Sequence, residues 1–358
     1  MPLAVDNTPH GIWRYAALYS PHVPAAARLT LGEGGTPAVE VPGLAAAYGL
    51  ARLVLKREDV NPTGSHKARG VAFQVSALRA ARPDLAWLTI SSSGNAALAA
   101  AAYARGAGVS LAAFVAPATP MATVARLVAL GAWVFVAPNA LSVAQALAER
   151  RGIPNLRPST DPLAVEGFQS IGWELAETVA PVDALFTFVS SGTSLVGIAR
   201  AFACAERVTP RPWRPALHAV QGTGAQSIAG EFDARRLPEA RSRLGDRGAR
   251  KTRRVGEAKR WIRATGGSGW VIADAEADAA AAQLAAYGVA SSLESGAALA
   301  AAGRAAAAGR VESAIVVITG AAEQEDDDFE TMDGQVTERL ARVDSLEAVE
   351  AAIDRLAG

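Results

Sequence analysis

The chain has 358 residues, with 35 Lys and Arg balanced by 35 Asp and Glu, so its net charge is zero. A chain of this length buries a large core and divides into two domains; its even charge offers no global attraction to nucleic acid or an anionic membrane. The single cysteine, Cys204, excludes an intrachain disulfide framework and a thiolate-rich zinc site, and in its apolar helical setting it reads as buried packing. The four histidines, His10, His22, His66 and His218, lack metal-ligand spacing.

The apolar stretches are alanine-rich and too often broken by Gly, Arg or Pro to span a bilayer. The opening MPLAVDNTPH has no charged region followed by an apolar block, so the expectation is a soluble, cytoplasmic protein. From residue 51, a strand at 52–56 precedes a helix at 67–81, a strand at 86–90 precedes a helix at 95–105, and a strand at 110–115 precedes a helix at 120–130. A strand at 133–136 and helices at 141–151 and 166–179 follow, then strand 185–189, helix 195–206 and strand 216–220. Helices at 275–287 and 295–308 lead to a last strand at 313–318. The alternation predicts right-handed β-α-β units and parallel sheets flanked by helices. Ligands of such sheets bind beyond the carboxyl ends of the strands.

Two segments depart from the alternation. Residues 231–260, rich in Arg and Lys, read as a solvated excursion, and the acidic run 323–330 reads as an exposed loop rather than a metal site. The tail from Glu338 to Leu356 places Leu340, Val343, Leu346, Val349, Ile353 and Leu356 on one helical face, suited to docking on the body or on another subunit.

The stretch N-P-T-G-S-H-K-A-R-G, 61–70, sets Lys67 where a turn hands over to a helix. A lysine there is an ordinary solvated residue beside an ordinary N-cap, Ser65, or it is a nucleophile, because the positive end of a helix favours the neutral amine. The stretch alone supports either reading. Strand 86–90 is followed by S-S-S-G-N, 91–95, and strand 185–189 by S-S-G-T-S, 190–194; each leads into a helix whose first N–H groups can seat an anion. The 190–194 loop lacks the Walker lysine and is not G-x-G-x-x-G. After the last strand stand Thr319 and Gly320, where a hydroxyl could meet a heterocycle nitrogen. An amine for an aldehyde, two anion seats and a hydroxyl match pyridoxal 5'-phosphate together with an amino-acid carboxylate.

The sequence resembles the fold type II enzymes that use pyridoxal phosphate, the tryptophan synthase β superfamily, and within it the threonine synthase branch. The resemblance rests on KREDVNPTGSHKARG (56–70), LGEGGTP (31–37), SSGNAALAAAAYARGAG, AVEGFQSIGWELAE (164–177) and VSSGTSLVGIARAF (189–202), with weaker echoes in GVASSLESGAALAA (288–301) and VVITG (316–320). It implies an α/β protein of two domains, each with a mostly parallel sheet: a larger cofactor domain, 1–85 and 181–358, and a smaller substrate-carboxylate domain, 86–180. It implies that Lys67 holds the cofactor as a Schiff base and carries the substrate α-proton, and that Asn95 meets the cofactor's phenolic oxygen. Ser92, Ser93 and Gly94 would bind the carboxylate; Ser191, Gly192, Thr193 and Ser194 the cofactor phosphate; Thr319 the pyridine nitrogen.

His66 stands where threonine synthases carry an aromatic, and S-H-K resembles the tryptophan synthase β subunit; it would lie near the cofactor phosphate, assist proton transfer, or simply pack. Arg69 is the candidate donor to a substrate phosphate, or else half of a structural ion pair. Glu166, opening EGFQS, reads as a cleft-facing acid or, somewhat better, as a helix N-terminal charge that the dipole favours. The expected function is elimination or replacement at the β or γ carbon of a small amino acid, as in a specialised relative of threonine synthase, with a threonine or serine dehydratase as the alternative. A binding protein that keeps the fold without catalysis is the alternative of another class. The resemblance also implies a homodimer.

Overall fold

A computed structural model describes residues 11–208, 213–233, 242–244, 254–322 and 338–357. In chain order these form β1 (Ala38–Glu40), α1 (Pro42–Ala47), β2 (Arg52–Arg57), α2 (Lys67–Ala81), β3 (Trp87–Ser91), α3 (Asn95–Gly106) and β4 (Ser110–Val115). Next come α4 (Met121–Ala129), β5 (Trp133–Val136), α5 (Ala140–Arg151), α6 (Leu163–Thr178), β6 (Ala184–Phe188), α7 (Thr193–Val208) and β7 (Ala216–Gly222). The rest are α8 (Val255–Ala264), β8 (Gly269–Ile272), α9 (Asp274–Ala286), α10 (Leu293–Ala307), β9 (Ser313–Ile318), β10 (Leu340–Arg342) and α11 (Leu346–Ala357).

The first of two compact units comprises the described residues within 1–20, 32–69 and 165–323. Its sheet runs β1-β2-β9-β6-β7-β8, with every neighbouring pair parallel except β1 and β2. Arg57 of β2 lies beside Ile318 of β9, and Phe186 of β6 beside Val316. That register brings the carboxyl ends of three neighbouring strands to one edge, so the lysine turn, Thr319 and the 190–194 loop emerge together. Leu53, Leu55, Phe186, Val316 and Ile318 are buried in one cluster with Ala297, Ala298, Ala301 and Ala302 of α10. Small residues let helices pack tightly here: a Cβ on Gly296 would sit 2.4 Å from the Ala277 carbonyl oxygen of α9.

The second unit comprises the described residues within 21–31, 70–164 and 324–358, and its sheet, β10-β5-β4-β3, is parallel throughout. Phe114 stacks on Phe135 at 5.2 Å between centroids, in a core closed by Leu147, Val349 and Ile353. The smaller domain read from the sequence, 86–180, shares residues 86–164 with this unit, while 165–180 pack with the other.

Several expectations need correction. Part of 231–260 is ordered helix: α8 buries Ala258 and Ile262 under β7, and its Arg and Lys face outward, which is why the stretch looks solvated in sequence. Leu340 is not on the tail helix but in β10, paired with Val134, and the helix begins at Leu346. Cys204 is half-buried rather than buried. The acidic run 323–330 lies outside the described residues. No helix among the described residues is long and apolar enough to cross a membrane.

Candidate active site

Lys67 is the first residue of α2. The chain before it is laced to the end of β9: Ala321 N–H donates to the Gly64 carbonyl at 2.9 Å, Ser65 pairs with Gly320, and His66 N–H donates to the Thr319 carbonyl at 3.1 Å. The His66 ring lies 2.8 Å through Nδ1 from that same carbonyl oxygen, and 2.6 Å through Nε2 from Lys67 Nζ. A carbonyl only accepts, so Nδ1 carries the proton and Nε2 offers its lone pair to the lysine. Burial, followed by the lysine's charge, holds the His66 pKa well below its usual value, which keeps the ring neutral.

Lys67 itself is lowered to about 8 by burial, opposed by the Glu294 carboxylate. A lowered pKa belongs to the nucleophile reading of this lysine, and burial is its largest cause. At pH 7 the group is mainly an ammonium, and a modest rise in pH frees the nucleophile. Phe168 of α6 closes the apolar side, its ring centroid 5.9 Å from Nζ and 5.4 Å from the His66 ring. Thr319 is buried, and its hydroxyl has no hydrogen-bond partner among the described residues.

Arg69, two residues on, answers the question left open by the sequence. It is fully buried, with Nε 2.6 Å from Glu58, Nη1 2.6 Å from Glu174 and 2.9 Å from the Ser170 hydroxyl, and Nη2 3.0 Å from the Thr36 hydroxyl. Lys56 joins the cluster, 2.6 Å from Glu174 and donating to the Thr36 carbonyl. Burial opposes the charge on Arg69, but Glu174 and Glu58 hold its pKa well above the usual value. Burial likewise works against both carboxylates, and Arg69 keeps each of them below the usual range. Arg69 is therefore a structural ion pair and offers nothing to a substrate phosphate.

The 190–194 loop turns tightly at Gly192, where φ is +81°. A Cβ there would lie 2.9 Å from Ile228 Cδ1 and 3.1 Å from Ala258 Cβ, so both conformation and space require glycine. Thr193 and Ser194 open α7 and are buried, and the Ser191 and Thr193 hydroxyls lie 2.8 Å apart. The first-turn N–H groups of the 16-residue α7 lack intrahelical acceptors, as at any helix start, and with the hydroxyls they form a donor set for a phosphate. An amine, an unpartnered hydroxyl and this donor set fit pyridoxal phosphate.

In the second unit, Gly94 caps α3, with its N–H 3.3 Å from the Ser92 hydroxyl, and Asn95 begins the helix, exposed. Open space surrounds Gly94. Ser92 and Ser93 are half-buried beside it. In the first unit, Glu166 in the first turn of α6 accepts from Gln169 at 2.6 Å and lies 3.5 Å from Arg200, which is a helix-terminal role.

Sequence reasoning missed Phe168 and Glu294. Phe168 lies in the matched EGFQS stretch, but only the fold shows which side of α6 meets the lysine. Glu294 lies in the weaker echo SSLESGAALAA, where an acid in a first helical turn is commonplace.

Comparison with known proteins agrees with this arrangement. The pyridoxal-phosphate dependent enzyme family matches residues 29–320, and the chain belongs to that family of fold type II enzymes, whose cofactor is pyridoxal 5'-phosphate. It is 32% identical over 173 residues to a threonine synthase of Methanosarcina acetivorans, covering 46% of this chain and 41% of the relative. It is 37% identical over 150 residues to the human L-serine dehydratase/L-threonine deaminase, covering 40% and 45%. The matched stretches thus span less than half of either relative. Maize serine racemase shares the fold, with a TM-score of 0.69 and 20% identity over 85% of this chain and 93% of its own.

Proposed function

We propose that the protein catalyses elimination or replacement at the β or γ carbon of a small amino acid. The observation that carries this reading is the Lys67 amine, held by neutral His66 beside the open hydroxyl of Thr319. When bound, the cofactor supplies an electron sink at the substrate's α carbon. Lys67 anchors it and moves the α-proton; Ser191, Gly192, Thr193, Ser194 and the start of α7 hold its phosphate. Thr319 meets the ring nitrogen, and as a neutral hydroxyl it leaves that nitrogen largely unprotonated. His66 steadies the amine near the cofactor, Asn95 contacts the phenolic oxygen, and Ser92, Ser93 and Gly94 take the substrate carboxylate. In this reading the first unit is the cofactor domain and the second the carboxylate domain, in a cytoplasmic homodimer.

A second reading, a threonine or serine dehydratase, is favoured over a threonine synthase by Arg69. The arginine available to a substrate phosphate is locked on Glu58 and Glu174, while a hydroxyl substrate needs no such donor. The test incubates the cofactor-loaded protein in deuterium oxide with L-serine, L-threonine and O-phosphohomoserine. Release of ammonia and a keto acid deuterated at C3 supports a dehydratase, with any α-deuterium read in the recovered substrate, and threonine from the phosphoester supports a synthase. Cofactor binding with neither turnover nor α-proton exchange overturns both in favour of a binding protein.

A further inference from the structure

A half-buried carboxylate near the lysine makes no hydrogen bond or ion pair among the described residues. Glu294 sits in the first turn of α10. That turn is fastened to the chain that carries Thr319: Ser292 N–H donates to the Gly320 carbonyl at 2.9 Å, the Ser295 hydroxyl reaches the same oxygen at 3.4 Å, and Ser291 pairs with Ala321. The lysine segment grips the same residues through Ser65 and His66. Residues 319–321 are thus strapped by Lys67's segment and by Glu294's. The Ser291 hydroxyl, more than nine-tenths buried, has no partner either.

We propose that Glu294 sets the charge preference of the site, favouring a substrate whose leaving group is uncharged, a hydroxyl above all, over one that carries a phosphate. The inference rests on the proposed function and names the residue that would decide its substrate class. A fixed anion repels a phosphate dianion and can accept a hydrogen bond from a hydroxyl. Its field already reaches Lys67, where it opposes the effect of burial on the amine. Against this amine lie the neutral His66 ring, 2.6 Å away, and the Phe168 ring, and Glu294 acts on it as a nearby charge.

Two measurements on Glu294→Gln and Glu294→Asp test the proposal. In cofactor-free protein, the pH midpoint for acylation of Lys67, followed by peptide mass mapping, should lie near 8 in the wild type. It should fall in Glu294→Gln and stay close to the wild-type value in Glu294→Asp. In cofactor-loaded protein, affinities for L-serine and O-phospho-L-serine are read from the cofactor's visible spectrum. Glu294→Gln should improve phosphoserine relative to serine by roughly tenfold, and Glu294→Asp should not. An unmoved midpoint, or an unchanged ratio in a Glu294→Gln protein with normal melting, overturns the assignment. A wild-type protein that responds to neither amino acid overturns the functional reading and this inference with it.

Discussion

Two neighbouring regions of one motif handle charge in opposite ways. Around Arg69, two cations and two carboxylates are buried and every guanidinium nitrogen has a partner. Around Lys67, a short step along the same helix, the amine leans on a neutral imidazole, and among the described residues the Thr319 hydroxyl and the nearby carboxylate have no partner. The first arrangement is complete within the chain and fixes the start of α2. The second leaves polar groups open among the described residues, as the proposed cofactor site requires. Motif residues that look alike in sequence therefore separate into scaffold and chemistry according to whether the fold satisfies them.

The largest expected effect breaks the scaffold side. Arg69→Met strands two buried carboxylates and should cost about 3–5 kcal/mol in chemical denaturation, whereas Lys67→Ala should stay within about 1 kcal/mol. Equal losses would erase the distinction between the two regions.

An unpartnered atom alone does not mark a ligand site, and His218 shows why. It stacks on Phe186 at 4.4 Å and accepts from Trp270 Nε1, while its buried Nε2 has no partner among the described residues. Burial lowers its pKa to about 4. Below about pH 6.5 the unfolded chain binds a proton that the folded chain refuses, so stability should fall by roughly 3 kcal/mol between there and pH 4. Measured against wild type over that range, His218→Gln should lose most of this slope; an unchanged slope would assign it to other groups.

The smallest effect sharpens the chemical side. Thr319→Val removes a hydroxyl that the protein does not itself satisfy, so stability of the cofactor-free protein should be unchanged or slightly raised. Cofactor affinity should fall by about 1 kcal/mol, the worth of one hydrogen bond. Titration of both proteins with the cofactor checks this, and equal affinities would remove Thr319 from the site.

Much of the fold was legible because β-rich runs and alanine-rich helices mostly alternate; the strand at 313–318 and the helix at 67–81 have the bounds expected. Three strands went unread: β1 and β10 have only three residues, and β8, no longer than β5, opens on a glycine and lacks the unbroken W-V-F-V run that made β5 legible. The polar α8 hides because its two anchors, Ala258 and Ile262, are outnumbered by solvated neighbours. Lys67 was legible through a long spelled-out motif. The partner that disqualifies Arg69 as a phosphate donor was not, since Glu174 lies 105 positions away and only tertiary packing joins them. Nor does the sequence show that His66 carries its proton on Nδ1, because that follows from its distance to one backbone carbonyl.

The central claim is that Lys67, with its lowered pKa and histidine partner, is the amine that captures the cofactor. Cofactor-loaded protein should be reduced with borohydride and its peptides mapped by mass spectrometry. The account predicts a single covalent cofactor label on Lys67, formed faster as the pH of loading rises through about 8. A label on another lysine, or none at all, would contradict it.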